Sequence, residues 1–253
     1  MTLIVSRRGL IRAGAAGAGS LLLPGCDRLF DNATFRETLE SGENLHRVTQ
    51  RVLGRNALAR EYREADMSPA FRANGSREVT DPAYRQHLAQ GFANWSLMLG
   101  GLVEHPLTLS LQALRDLPQR RQITRHDCVE GWSAIGQWQG PRLGLLLDMA
   151  RLRPEARYLV FHCADLYHGR PYYESIDLVD AFHPQTILAW AMNGKPLEEA
   201  HGAPLRLRVE RQLGYKHAKF VARIEAVASL EGIHGGKGGY WEDNGAYAWY
   251  AGI

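Results

Sequence analysis

One cysteine of this chain lies among residues that could give it chemistry. In the stretch RHDCVEGWSAIGQW, Arg125–Trp138, Cys128 stands one residue from Asp127 and two from Glu130. Nearby carboxylates raise the pKa of a thiol and make it a poorer nucleophile. A coordinated metal reverses this effect, because it removes the thiol proton despite the acids. The stretch therefore favours a cofactor ligand over a free nucleophile.

The sequence contains three cysteines, Cys26, Cys128 and Cys163. If Cys26 carries a lipid, two remain, and in an oxidising compartment two cysteines can form a disulfide. The alternative to a cofactor ligand is therefore a Cys128–Cys163 bridge in a cofactor-free exported binding lipoprotein. A count of free thiols on denatured, metal-free protein separates these two hypotheses.

The excess positive charge of the chain is concentrated at its N-terminus. Of the 30 basic residues, Arg7, Arg8 and Arg12 lie in the first 25 positions, where no acid occurs, and the rest of the chain is balanced in charge. With 253 residues, 45% hydrophobic and 23% charged, the composition is that of a soluble globular protein with one large domain or two small ones. A neutral body gives no reason to expect a nucleic-acid partner.

The beginning of the chain is typical of an export signal. The stretch SRRGLIRAGAAGAGSLLLPGC, Ser6–Cys26, places twin arginines before a Gly/Ala/Leu run that is too short and too rich in glycine for a good membrane-spanning helix. This order predicts a twin-arginine signal peptide over residues 1–25, and a location in the periplasm or on the outer face of the cytoplasmic membrane. The alternative is a short amphipathic helix. Because the twin-arginine route exports folded proteins, it suits a chain whose cofactor is inserted in the cytosol.

The end of this signal also resembles a bacterial lipobox. Leu23, Pro24 and Gly25 precede Cys26, which predicts a lipid anchor on Cys26 after cleavage. The alternative is plain cleavage nearby, with Cys26 close to the new terminus.

The rest of the sequence predicts a mixture of helices and strands. Residues 26–68 are polar with weak helical periodicity and are interpreted as an N-terminal arm. WSLMLGGLVEHPLTLSLQAL, from Trp95, predicts paired strands, and PRLGLLLDMARL predicts a short helix with Pro141 at its start. Further strands are predicted for ARYLVFHCA, PLRLRVE and KFVARIEAVASL. Because no regular βαβ spacing occurs, the predicted fold class is α+β with mixed sheets and irregular loops.

Four stretches occur together in the order of a known family: FRANG, CVEGWSAIGQWQG, HPQTILAWAMNGKPL and HGAPLRLRVERQLGYKHAK. They resemble the molybdopterin-binding domain of the sulfite oxidase superfamily, and most closely its exported bacterial branch, which includes methionine sulfoxide reductases. The resemblance covers about Pro69 to Leu230. It implies a sulfite oxidase-type oxidoreductase domain over residues 69–232 with a molybdenum–molybdopterin cofactor. A Gly/aromatic C-terminal tail follows over residues 233–253 and is predicted to be coil.

The resemblance also implies which residues hold the cofactor. The family binds molybdenum through one cysteine thiolate, and Cys128 matches it as metal ligand and catalytic residue, since a soft thiolate suits this metal. The matching cofactor contacts are Asn74, Cys163, His201, Arg206, His217, Ala218 and Lys219. Arg206 and Lys219 are expected to bind the pterin phosphate, because a guanidinium and an ammonium neutralise a dianion. The chain departs from the branch at Cys163, where the branch has threonine, and at His201, where it has asparagine.

For several other polar and aromatic side chains we expect a structural role rather than a catalytic one. Trp132 and Trp138 are expected in the core, with a wall of the site as the alternative. Supporting or surface positions are expected for His126, His162, His168 and Arg170. The alternative is that these four side chains line the pocket. The aromatic residues of the tail are expected to anchor it on the body. The alternatives for them are a roof over the site or contact with an electron partner.

The resemblance implies transfer of an oxygen atom to or from a small sulfur-containing substrate. Sulfoxide reduction is favoured by the single-domain form and by the similarity around Cys128. The alternative, oxidation of sulfite or a related oxyanion, would need convergent arginines, for which Arg125, Arg170 and Arg211 are candidates. The sequence has no Cys-x-x-Cys-His haem-attachment motif. A separate electron carrier is therefore expected, either a membrane haem or quinone protein or a soluble cytochrome.

Overall fold

The computed structural model describes residues 32–253, with positions 36 and 40 described by their backbone alone. The predicted signal peptide over residues 1–25 and the predicted lipid site at Cys26 lie outside the described residues. The chain divides into two units, one ending at Gly54 and the other, called the body below, running from Arg55 to Ile253. Within the first unit Ala33–Gly54 form helix α1, which confirms the helical periodicity of this stretch.

The α-helices of the body are α2 (Pro82–Ala89), α3 (Leu111–Asp116), α4 (Leu143–Ala150), α5 (Leu178–Ala181) and α6 (Tyr240–Gly245). Side-chain caps fix where two of them begin. Asp81 accepts a hydrogen bond from the Tyr84 amide at 2.8 Å, and Pro82 occupies the first position of α2. Ser110 accepts from the Ala113 amide at the start of α3. No helix within residues 32–253 has both the length and the apolar character required to cross a membrane.

The strands of the body are β1 (Ser96–Gly101), β2 (Leu107–Ser110), β3 (Gln119–Asp127), β4 (Ser133–Pro141), β5 (Tyr158–Tyr167), β6 (Arg170–Asp177), β7 (Ile187–Ala189), β8 (Ala191–Met192), β9 (Lys195–Pro196), β10 (Arg206–Arg208) and β11 (Val221–Val227). They form sheets in the orders β2-β1-β11-β5-β6, β3-β4-β8-β9 and β10-β7. β1 and β11 pair in parallel, and the other strand pairs are antiparallel. The predicted α+β class with mixed sheets is confirmed.

The five-stranded sheet supplies much of the core. Leu97 and Leu99 on β1, Leu159 and Phe161 on β5, and Ile224 on β11 are each at most 1% exposed and belong to one apolar cluster. A spacing of two places such residues on one face of a strand. Burial of each of these side chains stabilises the fold by about 1.5–3 kcal/mol. The sheet therefore forms a rigid support, and the far end of β5 reaches the cavity described below.

The long hairpin of β3 and β4 was not predicted from the sequence. The buried face of β3 carries Gln122, Thr124 and His126, each 1% exposed. Because polar residues occupy the buried face, the strand has no hydrophobic alternation that would indicate it. Cys128 follows directly after β3, at the tip of this hairpin.

The structure corrects three of the predicted elements. The stretch from Trp95 forms the paired strands β1 and β2 as predicted, but its end is helix α3, because Ser110 caps a helix there. The helix predicted with Pro141 at its start begins at Leu143, and Pro141 belongs to β4. The tail predicted as coil contains helix α6.

Candidate active site

A cavity of about 110 Å³ lies beside Cys128 in the body. Its walls come from the loop 74–76, the hairpin tip 128–130, residues of β5 and β6, the loop 214–219, and the C-terminal tail. Of the sequence-predicted site residues, the cavity brings together Cys128, Asn74, His217 and Lys219. It is the place in the body where the candidate metal ligand and candidate cofactor contacts share one wall.

A tight turn presents Cys128 to the cavity. The Cys128 amide donates to the Trp132 carbonyl at 2.9 Å, and the Gly131 amide donates to the Cys128 carbonyl at 3.0 Å. Gly131 has φ +84°, a left-handed conformation that glycine adopts without strain. The turn leaves the Cys128 side chain buried, at 8% exposure, but in contact with the cavity.

The acids beside Cys128 are bonded to other partners. The Arg125 Nε donates to Asp127 at 2.9 Å, and the Trp132 Nε1 donates to the Glu130 carboxylate at 3.0 Å. Burial raises the pKa of the Cys128 thiol, and the Glu130 charge raises it further. Without a metal the sulfur is therefore a neutral thiol, whereas a bound metal ion would remove its proton.

Two buried histidines near the cavity have fixed and opposite hydrogen-bonding roles. His126 Nδ1 lies 2.9 Å from the Arg208 guanidinium, so Nδ1 accepts and Nε2 carries the proton. His217 Nε2 lies 3.0 Å from the Gln212 carbonyl, so Nε2 donates and Nδ1 is an acceptor. Burial lowers the pKa of both rings well below the ordinary value, and the Arg208 charge lowers both further. His126 Nε2 and His217 Nδ1 have no partner, which leaves one free donor and one free acceptor.

Glycine at position 214 keeps this part of the cavity open. Gly214 lines the cavity, and a Cβ atom there would lie 2.5 Å from His126 Nε2. No real Cβ approaches so closely. Any other residue at this position would push the His126 ring aside.

Lys219 places a buried ammonium in the cavity wall. It donates to the Ala200 carbonyl at 2.9 Å and to the Ser76 carbonyl. Burial lowers the pKa of Lys219 to about 7, and the nearby Arg206 charge lowers it further. The two carbonyls account for two of its three donors, so one N–H is available to an anion.

Arg206 lies on β10 with no exposed surface. Its Nη1 donates to the His201 carbonyl at 3.1 Å, whereas Nε and Nη2 have no partner. Burial lowers the pKa of Arg206 to about 9, and the neighbouring Arg208 charge adds to this effect. A buried guanidinium with two free N–H groups is strongly unfavourable unless an anion binds it. Burial with two free N–H groups is compatible with the expected role of Arg206 in binding a phosphate.

The other predicted contacts lie outside the cavity wall. Cys163 on β5 is half-buried, and burial raises its pKa well above the ordinary value. His201 lines a separate groove with Phe71 and Glu198. Ala218 is fully buried, and its carbonyl accepts from the Leu207 amide. Both Cys128 and Cys163 are free thiols, so the disulfide of the alternative hypothesis is contradicted.

The supporting residues named from the sequence have partners of their own. His162 contacts Glu225 at 2.9 Å, and Arg170 donates to Asn244. Trp138 is fully buried, with the Arg206 and Arg208 guanidinium carbons 4.9 and 4.2 Å from its ring centroid. Trp138 is thus a core aromatic, as expected.

Sequence reasoning missed several residues that line the cavity. Asp165 is 3% exposed with its Oδ1 unpartnered, and burial raises its pKa. It follows Cys163 by two positions on β5, a spacing that could have suggested a shared face. Trp241 and Tyr247 of the tail also line the cavity. Both interpretations of the tail therefore apply. Trp241 and Tyr247 border the cavity, and Trp249 anchors the tail by donating to Ser175 at 2.8 Å.

Comparison with known proteins now decides the family. Residues 85–231, more than half of the chain, match the family model of the oxidoreductase molybdopterin binding domain. The chain belongs to this family. It is therefore an oxidoreductase, and its cofactor is molybdopterin carrying molybdenum, as the resemblance implied.

Individual relatives of this molybdopterin-binding oxidoreductase agree with that placement. The putative protein-methionine-sulfoxide reductase subunit YedZ1 of Azospira oryzae is 34% identical over 98% of this chain and 88% of its own length. The protein-methionine-sulfoxide reductase catalytic subunit MsrP of Campylobacter jejuni is 35% identical over 58% of this chain, and the match spans about half of that relative, 54%. The sulfane dehydrogenase SoxCD of Paracoccus pantotrophus shares the fold, with a TM-score of 0.50, 24% identity, and coverage of 55% of this chain and 40% of that one.

The side chains around the cavity fit molybdopterin. Its phosphate is a dianion. Arg206 is a buried cation with two unpartnered N–H groups, and Lys219 is a buried ammonium that uses two of its three donors on carbonyls. Its pterin ring has both donors and acceptors, and His126 and His217 leave one of each unpaired. Its metal takes soft ligands, and Cys128 supplies a thiol in the same cavity.

Proposed function

We propose that this chain is an exported molybdenum-dependent reductase of small neutral sulfoxides, including methionine sulfoxide. The observation that carries the proposal is the cavity wall next to Cys128. Five of its fifteen described lining residues are tyrosine or tryptophan, and none of the fifteen is an arginine. The overall reaction takes R₂SO, two protons and two electrons to R₂S and water. When bound, the molybdenum cofactor supplies the two-electron redox change that allows oxygen to leave sulfur.

Cys128 is proposed as the protein ligand of the metal. The sulfur is buried, borders the cavity, and has no disulfide partner. The neighbouring acids are bonded to Arg125 and Trp132, so they do not compete for the sulfur. A soft thiolate suits molybdenum, and coordination offsets the raised thiol pKa.

Arg206 and Lys219 are proposed to bind the phosphate of the cofactor, and His126 and His217 to bind its ring. The two cations are buried close enough for Arg206 to lower the Lys219 pKa. A bound dianion would remove this repulsion and satisfy the free N–H groups of Arg206. The two histidines stay neutral, so His126 donates and His217 accepts. Asn74 lines the cavity beside Lys219 and is proposed as a further contact.

The three arginines named for a sulfite site do not converge. Arg125 pairs with Asp127, Arg170 donates to Asn244, and Arg211 pairs with Asp180 at 2.7 Å. An oxyanion substrate would need cations at the metal end of the cavity. Among the described residues that line the cavity Lys219 is the one cation, and it is proposed for the phosphate. A neutral sulfoxide has no such need. The names of the relatives YedZ1 and MsrP support the same substrate class.

Export and electron supply complete the proposal. The twin arginines Arg7 and Arg8 support twin-arginine export to the periplasm, and Cys26 supports a lipid anchor on the outer face of the membrane. Because the sequence lacks a haem-attachment motif, we propose that electrons arrive from a separate haem, quinone or cytochrome carrier.

Purified cofactor-loaded protein tests the proposal. With reduced methyl viologen as donor, we expect reduction of methionine sulfoxide and dimethyl sulfoxide, and no sulfite oxidation with ferricyanide as acceptor. Cys128→Ser should lower sulfoxide reduction more than about 100-fold, since even outer contacts of a metal site are worth 10–100-fold. Cys163→Ser, which removes the other described thiol, should cost less than about 10-fold. Sulfite oxidation by the wild type, or full activity of Cys128→Ser, would contradict the proposal.

A further inference from the structure

The C-terminal tail forms an aromatic wall of the cavity. Trp241 and Tyr247 both line it, and their rings stack with centroids 5.3 Å apart and planes at 18°. Tyr215, on the opposite loop, meets the Tyr247 ring edge-on at 5.0 Å. These rings border the same cavity as Cys128. We call Trp241 and Tyr247 the aromatic wall.

A fully buried ion cluster holds α6, the helix that carries Trp241 of this wall. The Lys216 ammonium lies 2.7 Å from Glu174 on β6 and 2.5 Å from Glu242 on α6. All three side chains are at most 1% exposed. Burial raises the pKa of Glu174 well above its ordinary value, and repulsion from Glu242 adds to this effect although Lys216 opposes it. The two carboxylates share one ammonium, which joins β6, α6 and the loop of Lys216.

The packing around the cluster leaves little freedom for α6. A Cβ atom on Gly239, the residue before the helix, would collide with the carboxylates of Glu242 and Glu174. The Tyr215 hydroxyl donates to the Ala248 carbonyl at 2.6 Å beyond the helix. The helix is thus fixed at both ends and through its buried face.

Glu242 and Trp241 are adjacent on α6, so their side chains point about 100° apart around the helix. One direction leads into the ion cluster and the other into the cavity. The anchor of Glu242 therefore sets the rotation of α6 and with it the position of the Trp241 ring. An error of about 1 Å in such a position can cost about 10²-fold in rate.

We propose that the aromatic wall determines which sulfoxides are accepted, and that Glu242 is a positioning residue for it through Lys216. This inference rests on the proposed function and adds its specificity element. The wall packs against the groups bonded to the sulfoxide sulfur, and it limits their size. Lys216 is bound within the ion cluster, whereas Lys219 of the same loop borders the cavity.

The test compares two substrates of different size. We expect Trp241→Ala to raise the ratio of kcat/KM for methyl p-tolyl sulfoxide over dimethyl sulfoxide by about 10-fold or more, within the range of pocket discrimination. Glu242→Gln should move the ratio in the same direction by about threefold, mainly through KM. Molybdenum and pterin per protein should stay at the wild-type value in both variants. Glu155→Gln, an equivalent change at an exposed position, should leave the ratio unchanged.

A second measurement does not depend on turnover. Lys237 is exposed and lies three residues before Tyr240, where α6 begins, so trypsin cleavage there separates the rest of the tail from the body. Glu242→Gln should make this cleavage about tenfold faster, because the helix has lost a buried anchor. An unchanged substrate ratio in Trp241→Ala, or wild-type cleavage in Glu242→Gln, would overturn the inference. A wild type that reduces neither sulfoxide refutes the proposed function instead, and the cleavage rate still tests the anchor.

Discussion

Arg206 and Arg208 lie two residues apart on β10, are both fully buried, and both pack against Trp138. Their hydrogen bonding differs sharply. Arg208 donates to Glu210 at 2.8 and 2.6 Å and to His126 at 2.9 Å. Arg206 makes one hydrogen bond, to a carbonyl, and leaves Nε and Nη2 unpartnered.

Under the proposed function, the difference separates a structural charge, Arg208, from a charge that binds the cofactor, Arg206. A buried ion pair with its donors satisfied is self-contained, and removing one partner leaves an uncompensated charge. A buried cation without a carboxylate keeps its binding capacity for a ligand. The same division separates Lys216, held between two glutamates, from Lys219, held by carbonyl groups alone.

The largest effect is expected from breaking the self-contained pair. Arg208→Met leaves Glu210 buried and unpaired, so it should lower the free energy of unfolding by about 3–5 kcal/mol, with or without cofactor. Urea denaturation measures this. In the cofactor-free protein Arg206→Met strands no carboxylate and should cost about 1 kcal/mol or less. If both variants lost the same free energy of unfolding, the two arginines would not differ in their structural role.

Arg206→Met should instead lower cofactor retention. Loss of a phosphate partner is expected to weaken cofactor binding by about 10–100-fold. Molybdenum analysis and pterin fluorescence of the purified variant measure the retained cofactor, and Arg206→Lys should recover part of it. Wild-type cofactor content in Arg206→Met would contradict the proposal that Arg206 binds the phosphate of the cofactor.

A further prediction concerns the pH dependence of the cofactor-free protein. The Lys219 pKa is about 7 in the folded chain and near 10.5 when exposed, so between these values the unfolded chain binds the extra proton. The free energy of unfolding should therefore rise with pH from 7 to 10.5, by at most about 1.4 kcal/mol per unit from this group. Below pH 7 both states are protonated and its contribution is constant.

Lys219→Met removes this slope, which thermal or urea unfolding at several pH values can measure. Loading with cofactor should also flatten it, because the phosphate restores a high Lys219 pKa. An identical slope in wild type and Lys219→Met would mean that other groups cause it.

Part of this site follows from the sequence. The ordered motifs placed Cys128, Asn74, His217 and Lys219, and the cavity unites them. Apolar–polar alternation did not predict the buried face of a strand where both faces are buried or where the buried face is polar. All three residues of β10 are buried, so the alternation in PLRLRVE says nothing about which side faces water.

Helix α6 could not be predicted for a related reason. Its six residues, YWEDNG, are too few to form a helix by propensity. Tertiary contacts of Glu242 and Trp241 stabilise it, and those partners lie on β6 and on the loop around Lys216. These partners are distant in the sequence, so the residues near α6 do not indicate them.

The position of Trp138 between two guanidinium groups has a spectroscopic consequence. An indole ring is sensitive to nearby charge. Here Arg208 is paired with the Glu210 carboxylate, whereas Arg206 is the cation proposed to bind the cofactor phosphate. Filling of the cavity changes the field across the ring from one side. If the phosphate binds Arg206, the fluorescence of the buried Trp138 should therefore report whether the cofactor is bound.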